Sequence, residues 1–166
     1  MEEGIIDSST MQEISDKAGS CLGWMLEGMG IEAEIETSLR DGQIILNVLC
    51  GSDSSLVIGR KGQTLEALQT LVTRITAREH PEVLGRAKIL VDVEGYRERR
   101  LANILETARK SADEVREGGE PAFLDPLNSY ERYLVHNELK EEPGIRTSSR
   151  GEGALKQIMI EAVDDD

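Results

Sequence analysis

The chain has 166 residues, of which 39% are hydrophobic and 31% charged, a balance that fits one globular domain or two small ones. No apolar run approaches the roughly 20 residues needed to span a bilayer, and the acidic N-terminus lacks the basic-then-apolar order of a secretory signal, so a cytoplasmic protein without membrane insertion is expected. The net charge of −13 argues at first against nucleic acid as a partner, because phosphate backbones attract Lys and Arg.

Residues 1–9 are expected to be a disordered lead. Thr10-Met11-Gln12-Glu13 fits a capping box. Met11, Ile14, Ala18, Cys21, Leu22, Met25 and Met29 then recur at helical spacing up to a stop at Gly30. Ile31, Ala33, Ile35, Thr37 and Leu39 alternate with mostly acidic residues, which predicts a strand with one buried face. Asp41-Gly42 is a hairpin signal, since a type I′ turn needs positive φ at both central positions. Ile44, Leu46, Val48 and Cys50 form the return strand. Leu56-Val57-Ile58 runs into Gly59-Arg60-Lys61-Gly62, after which Leu65, Leu68, Leu71, Val72 and Ile75 mark a helix ending before Pro81. A short helical turn fits between Pro81 and Gly85, and Lys88 to Val93 reads as a third strand.

Tyr96 to Glu117 is a long helix with Leu101, Ile104, Leu105, Ala108, Ala112 and Val115 as its buried stripe, ended by Gly118-Gly119. Residues 120–125 read as extended. Asp125-Pro126 fits a cap followed by proline at the first helical position. The helix it opens runs to about Glu142, with Leu127, Tyr130, Leu134 and Val135 on one face and Ser129, Arg132, His136 and Lys140 turned outward. Residues 145–153 form a polar loop, Leu155 to Val163 a final strand, and residues 164–166 an acidic tail.

The charge is distributed unevenly along this plan. Residues 56–110 carry eleven basic and seven acidic side chains, whereas residues 1–40 and 111–166 sum to −7 and −8. Because screening acts over about 8 Å at physiological salt, a locally basic surface can work inside an acidic protein. The Gly59–Gly62 segment lies in this basic third, between an apolar segment and a helix N-terminus. A Gly-x-x-Gly pair alone is weak among 16 glycines. In this context the glycines are expected to let the backbone approach a phosphodiester without Cβ interference. The helix start offers N–H groups and a positive dipole end, and Arg60 and Lys61 add two cations. Such a loop can clamp about four nucleotides of single-stranded RNA.

The run Leu56 to Gln69 resembles the KH-domain signature of the bacterial Jag/KhpB family. Asp92 to Arg100 is similar to the segment that joins that domain to the next module. Arg132-Tyr133-Leu134-Val135-His136 matches the signature of the R-three-H domain, and Thr147-Ser148-Ser149-Arg150-Gly151-Glu152 resembles the loop that follows it. The similarity covers about residues 11–163, with the motifs in one order. It implies an α+β protein: a type II KH-like domain of order α-β-β-α-α-β over residues 10–94, a connecting helix over 95–119 and a small α/β R-three-H domain over 120–163. It also implies single-stranded RNA as ligand, with single-stranded DNA an alternative at the R-three-H surface. Further implications are a small single-KH partner protein and a post-transcriptional regulator or RNA chaperone tied to cell envelope growth, division or sporulation. Two departures stand out. The family often has a further basic residue where this chain has Tyr133, and often has Pro and Arg where this chain has Gly153-Ala154-Leu155-Lys156.

The RNA-binding residues expected on this reading are Gly59, Arg60, Lys61, Gly62, Gln63, Thr64, Arg132, His136, Lys140, Thr147, Ser149 and Arg150. Spacing alone would make Arg132 and His136 a solvated helix face, and the resemblance is what assigns them to phosphate or base. Thr147, Ser149 and Arg150 read equally as phosphate donors or as an ordinary polar loop. Arg97, Arg99 and Arg100 oppose the helix dipole and are expected in salt bridges, with Glu94 and Glu98 at hand. Cys21 and Cys50 fall at apolar positions and are expected as buried, reduced thiols. Two histidines and no Cys-x-x-Cys make a zinc site unexpected, and no cofactor is expected. A nucleotide-using enzyme is disfavoured, because the Walker and dinucleotide glycine patterns are missing. A protein-interaction module that has lost nucleic-acid binding remains the alternative, favoured by the −13 charge.

Overall fold

The computed structural model describes residues 7–40, 42–84 and 87–163. The chain divides into two units, Met1–Arg97 and Glu98–Asp166. The first unit runs α1 (Ser8–Gly28), β1 (Glu34–Arg40), β2 (Gln43–Leu49), α2 (Ser54–Ile58), α3 (Gln63–Thr76) and β3 (Lys88–Val93), with single 3-10 turns at Gly51–Asp53, Arg60–Gly62 and Pro81–Leu84. This is the expected α-β-β-α-α-β order. The strands form one sheet, β1-β2-β3, with β1 antiparallel and β3 parallel to β2. Strict alternation in β2 and β3 sends Ile44, Leu46, Val48, Ile89, Val91 and Val93 inward. There they meet Ile14, Ala18, Leu22 and Leu26 of α1 and Leu65, Leu68 and Val72 of α3.

Several local expectations need correction. α1 starts earlier than Thr10: Asp7 is its cap, accepting from the amides of Ser9 and Thr10 at 3.0 Å. Hydrogen bonds from the hydroxyls and amides of Ser9 and Thr10 hold the Asp7 carboxyl far below the usual carboxylate range. Residues 8 and 9, expected in a disordered lead, are therefore helical; residues 1–6 and the acidic tail 164–166 lie outside the described residues. Asp41 lies outside them too. The register ends at Arg40↔Gln43, and Gly42 has φ +73°, as a two-residue hairpin requires. In β1 the buried face does not last. Ile31 is buried and Ile35 half-buried, but Thr37 and Leu39 are exposed, although Thr37 lies beside Gly19 of α1. Cys21 and Cys50 are free and half-buried rather than fully buried; burial is the main cause that pushes both thiols up.

The outer edge of β3 is closed by side chains. Gln69 Oε1 accepts from the Val91 amide at 3.1 Å, and Arg97 Nε donates to the Val91 carbonyl at 2.9 Å. Arg97 also reaches Glu66 at 2.6 Å and Gln69 at 3.0 Å. The arginine is thus salt-bridged as expected, but to Glu66 of α3 rather than to a carboxylate in its own turn.

The second unit contains α4 (Tyr96–Gly118, entered from the first unit), β4 (Ala122–Phe123), α5 (Ser129–Glu138), β5 (Ile145–Arg150) and β6 (Gln157–Ala162). Its sheet has the order β4-β6-β5, with both pairings antiparallel. The polar segment expected as a loop at 145–153 is largely strand β5, because each of the strand's residues finds a partner in the apolar β6. α5 also starts later than Asp125-Pro126. Its cap is Asn128, in a reciprocal capping box with Glu131: Asn128 Oδ1 accepts from the Glu131 amide, and Glu131 Oε2 from the Asn128 amide, both at 2.9 Å. Leu127 is buried before the helix and bridges Lys156. The helix face is accordingly rotated: Glu131, Val135 and Leu139 are buried, whereas Tyr130 is exposed. Glu131 also takes Arg100 of α4, so Arg100 pairs across the unit.

Candidate nucleic-acid interface

The Gly59–Gly62 turn sits between α2 and α3. Val57 is fully buried and anchors α2, which leaves the turn at the surface. Gly59 has φ +70°, Lys61 φ +52° and Gly62 φ +82°; three positive φ angles in four residues reverse the chain sharply. Lys61 is one of two non-glycine residues in this region of the map among the described residues, the other being Glu94. Arg60 and Lys61 are both exposed, and Arg60 makes no ion pair among the described residues. No side chain caps the N-terminus of α3, so its positive dipole end faces the turn without a side-chain acceptor. The amides of Gly59 and Gly62 are used internally, bonding Ser55 O at 2.9 Å and Gly59 O at 3.3 Å.

The two glycines are required for a different reason from the one expected. A Cβ on Gly59 would lie 2.1 Å from Thr64 Oγ1 and 3.0 Å from the Thr64 amide, and a Cβ on Gly62 would lie 3.2 Å from the Tyr96 ring. The space kept open is filled by the protein itself, not left for a phosphodiester. The glycines shape the turn, and Arg60 and Lys61 form its outer surface. Gln63 is exposed at the first position of α3, its amide bonded to Arg60 O, while Thr64 is half-buried behind Gly59.

In the second unit, strand β5 brings Thr147 and Ser149 to His136 of α5. His136 Nδ1 lies 2.7 Å from Thr147 Oγ1, and Nε2 lies 3.1 Å from Ser149 Oγ. Burial, then the nearby Arg132 charge, depresses the His136 pKa. The ring is therefore neutral at pH 7, donating to one hydroxyl and accepting from the other. Arg132 is half-buried and braces the start of α5: Nη1 donates to Leu127 O at 2.8 Å and to Ala154 O at 3.4 Å, and Nη2 to Ser129 Oγ at 3.1 Å. Nε–H and one Nη2–H remain for a ligand. Lys140 lies beyond the end of α5 rather than on it. It lines a cleft of about 500 Å³ together with Tyr133, His136, Asn137, Arg146 and Thr147. Arg150 is exposed at the end of β5. Tyr133, Asn137 and Arg146 are cleft residues that the sequence did not single out as binding. The departure at Tyr133 was the one visible signal; Arg146 comes in only through the β5–β6 register, which pairs it with Glu161 at 2.9 Å. No group of His, Cys, Asp or Glu among the described residues is placed to hold a metal ion.

Comparison with known proteins agrees with this division. The family model for the KhpA/KhpB KH domain matches residues 22–89, and that for the R-three-H domain matches residues 102–162. The RNA-binding protein KhpB of Clostridium symbiosum is 29% identical over 157 residues, 94% of this chain and 69% of that protein. The protein of the same name from Bacillus subtilis (strain 168) is 36% identical over 115 residues, 68% of this chain and 53% of that protein. The one from Lactiplantibacillus plantarum is 30% identical over 136 residues, 82% of this chain and 41% of that protein. The chain thus spans about half the length of the latter two relatives. With a KhpA/KhpB-type KH domain followed by an R-three-H domain, and with similarity to KhpB proteins that runs through both, the chain belongs to the Jag/KhpB family.

Proposed function

We propose that this chain binds single-stranded RNA. The observation that carries the reading is the Arg60-Lys61 pair, held outward on a left-handed turn at the uncapped start of α3. Two cations and a helix N-terminus suit a sugar–phosphate backbone and not a base sequence, so loose sequence preference follows. Gln63 extends this surface and Thr64 supports it from behind. The second contact area is the His136, Thr147 and Ser149 cluster with Lys140 and Arg150, braced by Arg132. The working domain division is residues 10–94, 95–119 and 120–163. Polarisation titrations of labelled single-stranded RNA and DNA across a salt series test the reading. Binding that is absent at low salt would end it.

The family is one of RNA-binding proteins and not of enzymes, and no helix among the described residues is long and apolar enough to cross a membrane. The resemblance supports a cytoplasmic post-transcriptional regulator or RNA chaperone in envelope growth, division or sporulation. A small single-KH partner is supported by the shared KhpA/KhpB domain type. The exposed apolar side chains Trp24 of α1 and Leu71 and Ile75 of α3 also support it, since they lie on the two packed helices. The net charge of −13 favours one second reading, a module that binds protein alone. Capture of a partner that survives nuclease treatment, with no RNA crosslinked in cells, would select it.

A further inference from the structure

The second unit is built without an aromatic core. Its sequence holds three aromatic residues, Phe123, Tyr130 and Tyr133, and they are 57%, 66% and 63% exposed. Its buried cluster consists instead of aliphatic side chains such as Leu124, Val135, Leu139, Ile158 and Ile160. Large rings left in water together mark a surface that something else covers. On α5 the exposure follows from the cap at Asn128. With Glu131, Val135 and Leu139 facing inward, Tyr130 and Tyr133 face outward on one side. They are three residues apart, about 4.5 Å along the axis and about 60° around it. Tyr133 lines the same cleft as His136, Lys140 and Arg146.

The charge says what kind of ligand fits. Residues 111–166 sum to −8, which penalises phosphate contact away from the few local cations. Base stacking carries no such penalty, because every base presents a π-face to an aromatic ring whatever the surrounding charge. Lys140 at the cleft is 73% exposed and Arg146 is 66% exposed, open enough to meet flanking phosphates. His136 is held in place at the cleft by its two hydroxyl contacts, which engage both ring nitrogens.

We infer that Tyr133 and Tyr130 are nucleobase-stacking platforms. Unpaired bases of single-stranded RNA stack on them, with the base on Tyr133 seated in the cleft beside His136. This rests on the RNA-binding reading and deepens it: the first unit grips backbone by charge, and the second holds bases by stacking.

The test uses the full chain and labelled single-stranded RNA, titrated across a salt series with the wild type, Tyr130→Ala/Tyr133→Ala and Tyr130→Phe/Tyr133→Phe. Both tyrosines are more than half exposed, and urea unfolding checks that the variants are folded. The alanine pair is expected to lose about ten-fold or more in affinity at every salt concentration, with the slope of log K against log salt unchanged. The phenylalanine pair, which keeps the rings, is expected to stay close to wild type. Wild-type binding with an unaffected alanine pair would overturn the stacking assignment while leaving RNA binding intact. Equal loss in both pairs would assign the contact to the hydroxyls and also overturn it. A wild type that does not bind RNA would remove both readings together.

Discussion

Replacing Arg60 and Lys61 together with aspartate reverses the charge of the turn without touching the glycines that shape it. Each phosphate contact to a single strand contributes a slope of about 0.7 in log K against log salt, so two lost contacts flatten the slope by about 1.4. Between about 1 M and 0.15 M salt that difference amounts to roughly fifteen-fold in affinity, and the repulsion of two new carboxylates moves the loss toward a hundred-fold. Folding should hardly change. Arg60 is exposed without an ion pair among the described residues, and aspartate accepts the φ of +52° at position 61 at least as well as lysine does. The change in stability is therefore expected to stay at about 1 kcal/mol or less. Glycine replacements are a poorer probe: Gly59→Ala drives its Cβ to 2.1 Å from Thr64 Oγ1 at a φ of +70°, and a loss of about 2 kcal/mol or more would confuse folding with binding. The assay is a polarisation titration of single-stranded RNA over a salt series, paired with urea unfolding of each protein. A folded double-aspartate protein with unchanged affinity and unchanged slope would refute the assignment of this turn.

Lys61→Gly relieves the left-handed φ but also removes the lysine side chain, so stability is expected to change by less than about 1 kcal/mol while RNA affinity falls; unchanged affinity would contradict the role of Lys61. Glu131→Ala strips an acceptor from the Asn128 amide and a carboxylate from Arg100, so denaturant titration should show a loss of about 2 kcal/mol. Glu131→Gln, which keeps the cap, should lose less. His136 should titrate below the ordinary 6.5 in an NMR experiment. Because the folded state then binds fewer protons than the unfolded one, its contribution to stability is complete above about pH 6.5 and is lost as pH falls toward the folded value; a midpoint above 6.5 would contradict the burial of the ring. Arg97→Ala uncovers the Val91 carbonyl at the edge of β3 and should cost about 1–2 kcal/mol, read by urea unfolding.

Much of this protein was legible in short stretches of chain. The spacing of Leu65, Leu68 and Val72, the alternation in β2 and β3, the Asp41-Gly42 turn and the Gly59–Gly62 segment are signals carried within one or two turns of backbone. Intrinsic periodicity and turn chemistry are local, so a reader of the sequence can see them. The resemblance likewise rested on contiguous motifs, and the structure brings His136, Thr147 and Ser149 of those motifs together.

What stayed hidden depends on residues distant in sequence. β5 is polar along most of its length and becomes a strand only because β6 supplies its partners. Leu127 looked like the first turn of α5 but bridges Lys156, which shifts the helix start to Asn128 and turns Tyr130 from the core into water. Arg97 and Arg100 sat near acidic residues in their own helix, yet paired with Glu66 and Glu131, because packing sets which carboxylate a long side chain reaches. The glycines of the turn announced a reversal, but only folding revealed that Thr64 and Tyr96 occupy the space they leave. Local chemistry writes the elements, whereas strand register and packing decide which side chains meet, and the cleft beside His136 is a product of that second kind of choice.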